Sequence, residues 1–200
     1  EIQALWYNAL CIMADFAEKK GDPAEREQFE AMAKTTKHSF GEKFWNEDED
    51  CLFDFVEGDE NGKLVRPNQI FAVSLPHTML SIGQAKKVVQ KVEAELLTPV
   101  GLRSLSPNAL EYCRVYEGSP LARDGGYHQG TVWGWLIGHF VDAYRRVNPK
   151  TSKTEKRVSG FLEGFREHLS EAGIGQISEI FDADSPHQPR GTFAQAWSVA

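Results

Sequence analysis

In the stretch GQISEIFDADSPHQPRGTFAQAW, Glu179, Asp182 and Asp184 fall close together in a loop that leads to Trp197. Glu179 lies between Ile177 and Ile180, an apolar setting in which a carboxylate is costly unless it is hydrogen-bonded or poised to move a proton. Asp182 or Asp184 either partners it or caps the turn before Pro186. Glycoside hydrolysis commonly uses two carboxyl groups, one protonating the leaving oxygen and the other activating water. In the inverting form they stand about 6.5–9.5 Å apart, so neighbours this near in sequence do not suit the distant acid. Glu179 is the candidate catalytic residue of this stretch.

A second set of residues suits a sugar. Trp6, Trp133 and Trp197 offer aromatic faces for its C–H surface, while Gln3, Asn8, Asn68, Gln69, His128, Gln129 and Gln195 can bond its hydroxyls. Tryptophans at helical spacing serve a plain core equally well. Other chemistries fit worse. Asn46, Asp48, Asp50, Asp54 and Glu57 imitate a calcium loop, yet Cys51 stands where the sharp turn needs glycine. DGGYHQG lacks the spacing of a phosphate loop, and the six His residues form no HExxH pair. Neither a metal nor another cofactor is expected.

The elements that would carry these residues alternate in character. Residues 1–18 recur apolar at helical spacing, with Gly21 just beyond, and Asp22-Pro23 opens a second, amphipathic helix running to Phe40. Alternation near Cys51–Phe55 and the Asn61-Gly62 pair predict a β-hairpin over 51–65. A buried helix opens at Pro67 and is interrupted by Pro76, and a charged helix follows over 84–97. Residues 98–126 form a long loop rich in Gly, Pro and Ser. The segment from Tyr127 to Val147 predicts a buried helix, residues 153–173 an exposed one, and Thr192 the start of another buried one.

Gln3, Gln69, Gln129 and Gln195, each near an aromatic residue, recur about every 60–66 residues. The unit is an inner helix, an outer helix and a loop. The expected fold class is all-α, part of an (α/α)6 toroid with a small β-hairpin, and the pocket is expected on one rim of the inner helices.

An apolar fraction of 41% and a charged fraction of 26% describe a folded chain with a sizeable core. A net charge of -7, without a basic cluster, disfavours nucleic acid as a partner. No apolar run reaches the length that spans a bilayer, so no membrane partner and a cytoplasmic location are expected. Cys11, Cys51 and Cys113 fit no disulfide or metal pattern and read as buried thiols. Both termini cut into apolar helical patterns, which suggests the C-terminal portion of one toroidal domain over 1–200, truncated at both ends.

The segments EIQALWYNAL, RPNQIFAVSLP, TPVGLRSLSP, YHQGTVWGWLIGHFVDAY and GQISEIFDADSPHQPRGTFAQAWSVA, in this order, resemble the C-terminal amylo-α-1,6-glucosidase region of glycogen debranching enzymes. The resemblance implies a glucoamylase-like toroid that removes α-1,6-linked glucose from trimmed branch points by inversion. Glycogen or a branched α-glucan oligosaccharide is then the substrate. The resemblance makes Glu179 of the SEI motif the general base and carries Asp182, His128, Gln129 and the tryptophans over less decisively. The family's general acid, an Asp in a Trp-Met-Asp segment, has no counterpart here and is expected upstream of Glu1, in a missing N-terminal part of the same protein. The competing readings are a carbohydrate-binding or structural piece without turnover, and a related toroid hydrolase acting on another glycoside such as trehalose.

Overall fold

The computed structural model describes residues 1–56 and 60–199, without the side chains of residues 60 and 61. Helices α1 (Ile2–Lys20) and α2 (Pro23–Phe44) pack as a hairpin whose turn follows from three residues. Gly21 takes φ +77°, which lets its own N–H and that of Asp22 return to the carbonyls of Glu18 and Ala17 at 3.0 Å. Asp22 accepts from the Glu25 N–H at 3.0 Å, and Pro23 supplies a first helical residue with no N–H to satisfy.

The hairpin expected over 51–65 forms earlier. Strand β1 (Trp45–Asn46) pairs with β2 (Cys51–Leu52), because Asn46 Oδ1 accepts from the Asp48 and Glu49 N–H groups and so builds the turn. Residues 60–63 form a 3-10 turn instead of a strand, and residues 57–59 lie outside the described residues. The acidic run there is dispersed into ion pairs, Asp50 with Lys87 and Glu49 with Lys91.

Pro67–Ile70 is a 3-10 turn that leads into α3 (Phe71–Ser74). The helix stops at Leu75, which is extended, as a residue before proline prefers. Helix α4 (Ile82–Glu95) opens with a Ser81–Gln84 capping box and buries Ala85, Val88, Val89 and Val92.

The expected long loop is more ordered than its composition suggests. It contains β3 (Leu97–Thr98), β4 (Gly101–Arg103) and α5 (Pro120–Gly126). The helix expected from Tyr127 also starts late: Thr131 and Val132 are β-branched, and Val132–Trp133 pairs as β5 before a 3-10 turn and α6 (Ile137–Val147). Next come α7 (Ser152–Gly160) and α8 (Glu163–His168), then β6 (Ile180–Phe181), β7 (Pro189–Arg190) and α9 (Ala196–Val199), the last opening four residues after Thr192. The strands form an antiparallel sheet in the order β3-β4-β5-β6-β7. The chain is thus helix-rich with a second, five-stranded sheet that corrects the expectation of one small β exception.

The main core lies where α3, α4 and α6 meet, with Val73, Val88, Val92, Phe140 and Ala143 fully enclosed. A smaller cluster of Val100, Val132 and Phe181 packs beside the sheet and braces the loop that carries Glu179.

Candidate active site

Glu179 sits immediately before β6, and Gly191 and Thr192 immediately follow β7, so the antiparallel pairing itself brings them together. The Glu179 N–H bonds the Thr192 carbonyl at 2.8 Å, extending the ladder by one step. In return the Thr192 N–H and hydroxyl donate to Glu179 Oε2 at 2.9 and 3.1 Å. The Tyr127 hydroxyl donates to Oε1. The side chain fits only because residue 191 is glycine: a methyl group there would lie 2.6 Å from Oε2, and φ is +68°.

Glu179 is 8% exposed. Burial alone would raise its carboxyl, but the bonds from Thr192 and Tyr127 outweigh it and hold the group below the ordinary carboxylate range. It is therefore ionised at neutral pH, with acceptor capacity beyond its three bonds. Burial and the bond to Glu179 push the Tyr127 hydroxyl well above its ordinary value, so it remains a donor.

Tyr127 connects this carboxylate to a tryptophan-lined cavity of about 380 Å³. Its ring meets Trp133 edge-on at 5.0 Å and His128 at 4.8 Å. His128 stacks on Trp133 at 5.2 Å, and Trp197 bridges Trp133 and Trp135 at 6.0 and 6.3 Å. Among the described residues, Glu1, Asp54, Arg66, Asn68 and Ser104 supply polar groups to the cavity walls. Burial, with the Arg66 guanidinium adding to it, pushes the His128 imidazole below its usual value, which leaves it neutral and able to both donate and accept.

Four of the sugar contacts expected from sequence meet here: Asn68, His128, Trp133 and Trp197. The others do not line this cavity. Trp6 faces Met32, Thr35 and Thr36 in a hollow between α1 and α2. Asn8 is buried and holds the 77 region, donating to the His77 carbonyl at 2.7 Å and accepting from its N–H at 2.9 Å. Gln69 accepts from the Leu52 N–H and donates to the Arg66 carbonyl. Gln129 accepts from Arg66 Nη2 at 2.9 Å, and Gln195 accepts from Trp197 Nε1 at 2.7 Å. Each of these amides is engaged by protein, which leaves it less to offer a hydroxyl.

Asp182 is 4% exposed and accepts from Arg190 Nε on both oxygens and from Nη2 on Oδ2, with the Tyr116 N–H on Oδ1 at 2.8 Å. It fastens β7 and the 116 region around the loop and is not among the residues lining the cavity. Asp184 accepts from the Tyr112 hydroxyl at 2.8 Å. Sequence reasoning passed over Tyr127, Trp135 and Arg66. Trp135 was hidden by the helix expected across it; it lies in the 3-10 turn that follows β5 and lines the cavity together with Trp133.

The arrangement has a helical fold shared with solved trehalase and sialidase structures. A solved structure of neutral trehalase Nth1 from Saccharomyces cerevisiae superposes with a TM-score of 0.68 at 16% identity, over 98% of this chain and 35% of that one. A sialidase structure gives 0.70 at 14% identity, over 95% and 17%. The chain belongs to the amylo-alpha-1,6-glucosidase family, whose model matches residues 1–200. Its relative, the glycogen debranching enzyme of Saccharomyces cerevisiae, is 26% identical over 155 residues, covering 68% of this chain. The chain spans 10% of that protein's length. No described helix is long and apolar enough to cross a membrane.

Proposed function

We propose that residues 1–200 form the C-terminal part of a single (α/α)6 glucosidase domain that removes α-1,6-linked glucose from trimmed branch points of glycogen or a related α-glucan in the cytoplasm. The observation that carries this reading is the buried, ionised Glu179, held by Thr192 and Tyr127 and joined through Tyr127 to the wall of a tryptophan-lined cavity. Family membership supports the choice of linkage.

In this reaction Glu179 takes a proton from a water molecule, and the water oxygen attacks the anomeric carbon. The bond to the glycosidic oxygen breaks as a general acid on the opposite face gives that oxygen a proton. Glucose leaves with inverted anomeric configuration. The acid belongs to the part of the parent protein outside this chain. Trp133, Trp135 and Trp197 cover the sugar's C–H face, and neutral His128 with Asn68 bonds its hydroxyls.

The test is to incubate the full-length protein carrying this chain with a branched limit dextrin and follow the anomer released by NMR. Release of β-glucose from α-1,6 stubs is the expected result. Release of α-glucose, or turnover of trehalose with none of the dextrin, would overturn it.

A further inference from the structure

The tryptophan-lined cavity shares a wall with a second cavity of about 420 Å³, lined by Phe40, Phe44, Phe53 and Phe55. Glu1, Asp54, Arg66 and Asn68 border both. Asp54 belongs to the acidic run that imitates a calcium loop in sequence, but while Asp50 pairs with Lys87, Asp54 pairs with Arg66. Its backbone is pinned on either side, by Phe53 N–H to the Phe44 carbonyl and by its own N–H to the Gly62 carbonyl, both at 2.9 Å.

Opposite Asp54 stands a fixed cation. Arg66 Nη1 donates to the carbonyls of Ser104 and His128 at 3.1 and 2.7 Å, and Nη2 to Gln129 Oε1. The remaining Nε faces Asp54 Oδ2 at 3.7 Å, close enough for charge pairing and too long for a hydrogen bond. The side chains of Asp54 and Arg66 are 27% and 18% exposed. A carboxylate can accept about four hydrogen bonds, and one at a cavity wall with its charge balanced but its lone pairs free of Arg66 is built to accept from outside. The geometry matches an adjacent pair of sugar hydroxyls, whose two O–H groups meet the two carboxylate oxygens.

We propose that Asp54 is a sugar-binding carboxylate of this site, accepting hydrogen bonds from two adjacent hydroxyls of the glucosyl unit. This deepens the glucosidase reading and rests on it. Asp54 thereby sets which sugar is accepted, since an epimer or deoxy sugar leaves a desolvated carboxylate oxygen without its donor.

The test uses the full-length protein with Glu179→Gln, which binds without turnover, and a maltooligosaccharide carrying one α-1,6-glucosyl stub as the probe in calorimetry. Adding Asp54→Asn should weaken binding about tenfold or more, the loss expected for hydrogen bonds to a charged group. Probes deoxygenated at single positions of the stub should show two adjacent hydroxyls that matter with Asp54 present and no longer matter with Asn. Equal affinity of the two proteins would overturn the role of Asp54 and leave the glucosidase reading standing. A loss of equal ratio for every deoxy probe would show a collapsed Arg66 platform and overturn it as well. No binding by the Glu179→Gln protein would overturn the glucosidase reading and the Asp54 proposal together. If Asp54→Asn unfolds, Asp54→Glu replaces it: it keeps the charge opposite Arg66, and an unchanged deoxy profile would contradict the assignment.

Discussion

Tyr127 and Glu179, 52 residues apart, are joined by a hydrogen bond from the phenol to Oε1, while Thr192 holds Oε2 from the other side. The carboxylate is thus clamped at both oxygens, and the ring of the tyrosine that clamps it packs edge-on against His128 and Trp133, which line the cavity. Orientation and charge of the proposed base depend on the same three donors.

Removing the phenol separates those effects. Glu179 works as a base only when ionised, and its bonds hold its carboxyl below the ordinary range. Tyr127→Phe deletes one of them, so the carboxyl rises and the acid limb of the kcat/KM profile moves to higher pH. The full-length variant should also lose about tenfold in kcat, with KM little changed. A pH profile that superposes on the parent's would show that the bond does not tune the base.

Position 191 tests how tightly the loop is built. Gly191→Ala places a methyl group 2.6 Å from Glu179 Oε2 on a backbone with φ +68°. Urea unfolding should show a loss of about 1–3 kcal/mol, and turnover should fall with it. Stability and activity both equal to the parent's would mean that the loop relaxes freely.

The Asp182–Arg190 pair is expected to act on stability. Asp182 is buried while the Arg190 side chain is 35% exposed, so water screens part of the interaction. Replacing Arg190 with Met strands Asp182, and the expected cost is about 1–3 kcal/mol in chemical denaturation. If Asp182 bonds sugar instead, Arg190→Met will leave unfolding unchanged and raise KM.

How much of this was legible in the sequence depends on how local the determinant is. The turn between α1 and α2 is written in Gly21, Asp22 and Pro23, each with one conformational job, and it forms as expected. The break before Pro76 is equally local. The sheet was invisible because its strands are two or three residues long, too short for alternation to register, and the β4-β5 and β5-β6 pairings join segments far apart in sequence. The hairpin slipped upstream because an Asn46 side chain made the turn while Asn61-Gly62, the stronger dipeptide signal, did not. Glu179 stood out because a lone carboxylate among isoleucines needs a reason. Its clamp did not, because Tyr127 is brought to it only by the β4-β5-β6 pairing.

An exposed stripe on α1 carries a solution prediction. Ile2, Leu5, Trp6, Met13 and Phe16 all lie on that helix with more than a third of their surface open. Apolar faces of this kind favour association. In sedimentation velocity the isolated 200-residue chain should associate with rising concentration, and Leu5→Gln with Phe16→Gln should reduce it. A monomer at all concentrations would contradict this.

The central claim is that Glu179 is the base, and its most direct measurement pairs turnover with binding in one variant. In the full-length protein Glu179→Gln keeps the side chain's shape and its place beside Thr192 but cannot take a proton from water. Glucose release from a branched limit dextrin should fall by a factor of about 10² to 10⁴, while calorimetric affinity for the α-1,6-glucosyl stub stays within a few-fold of the parent. Ordinary kcat in this variant would contradict the account.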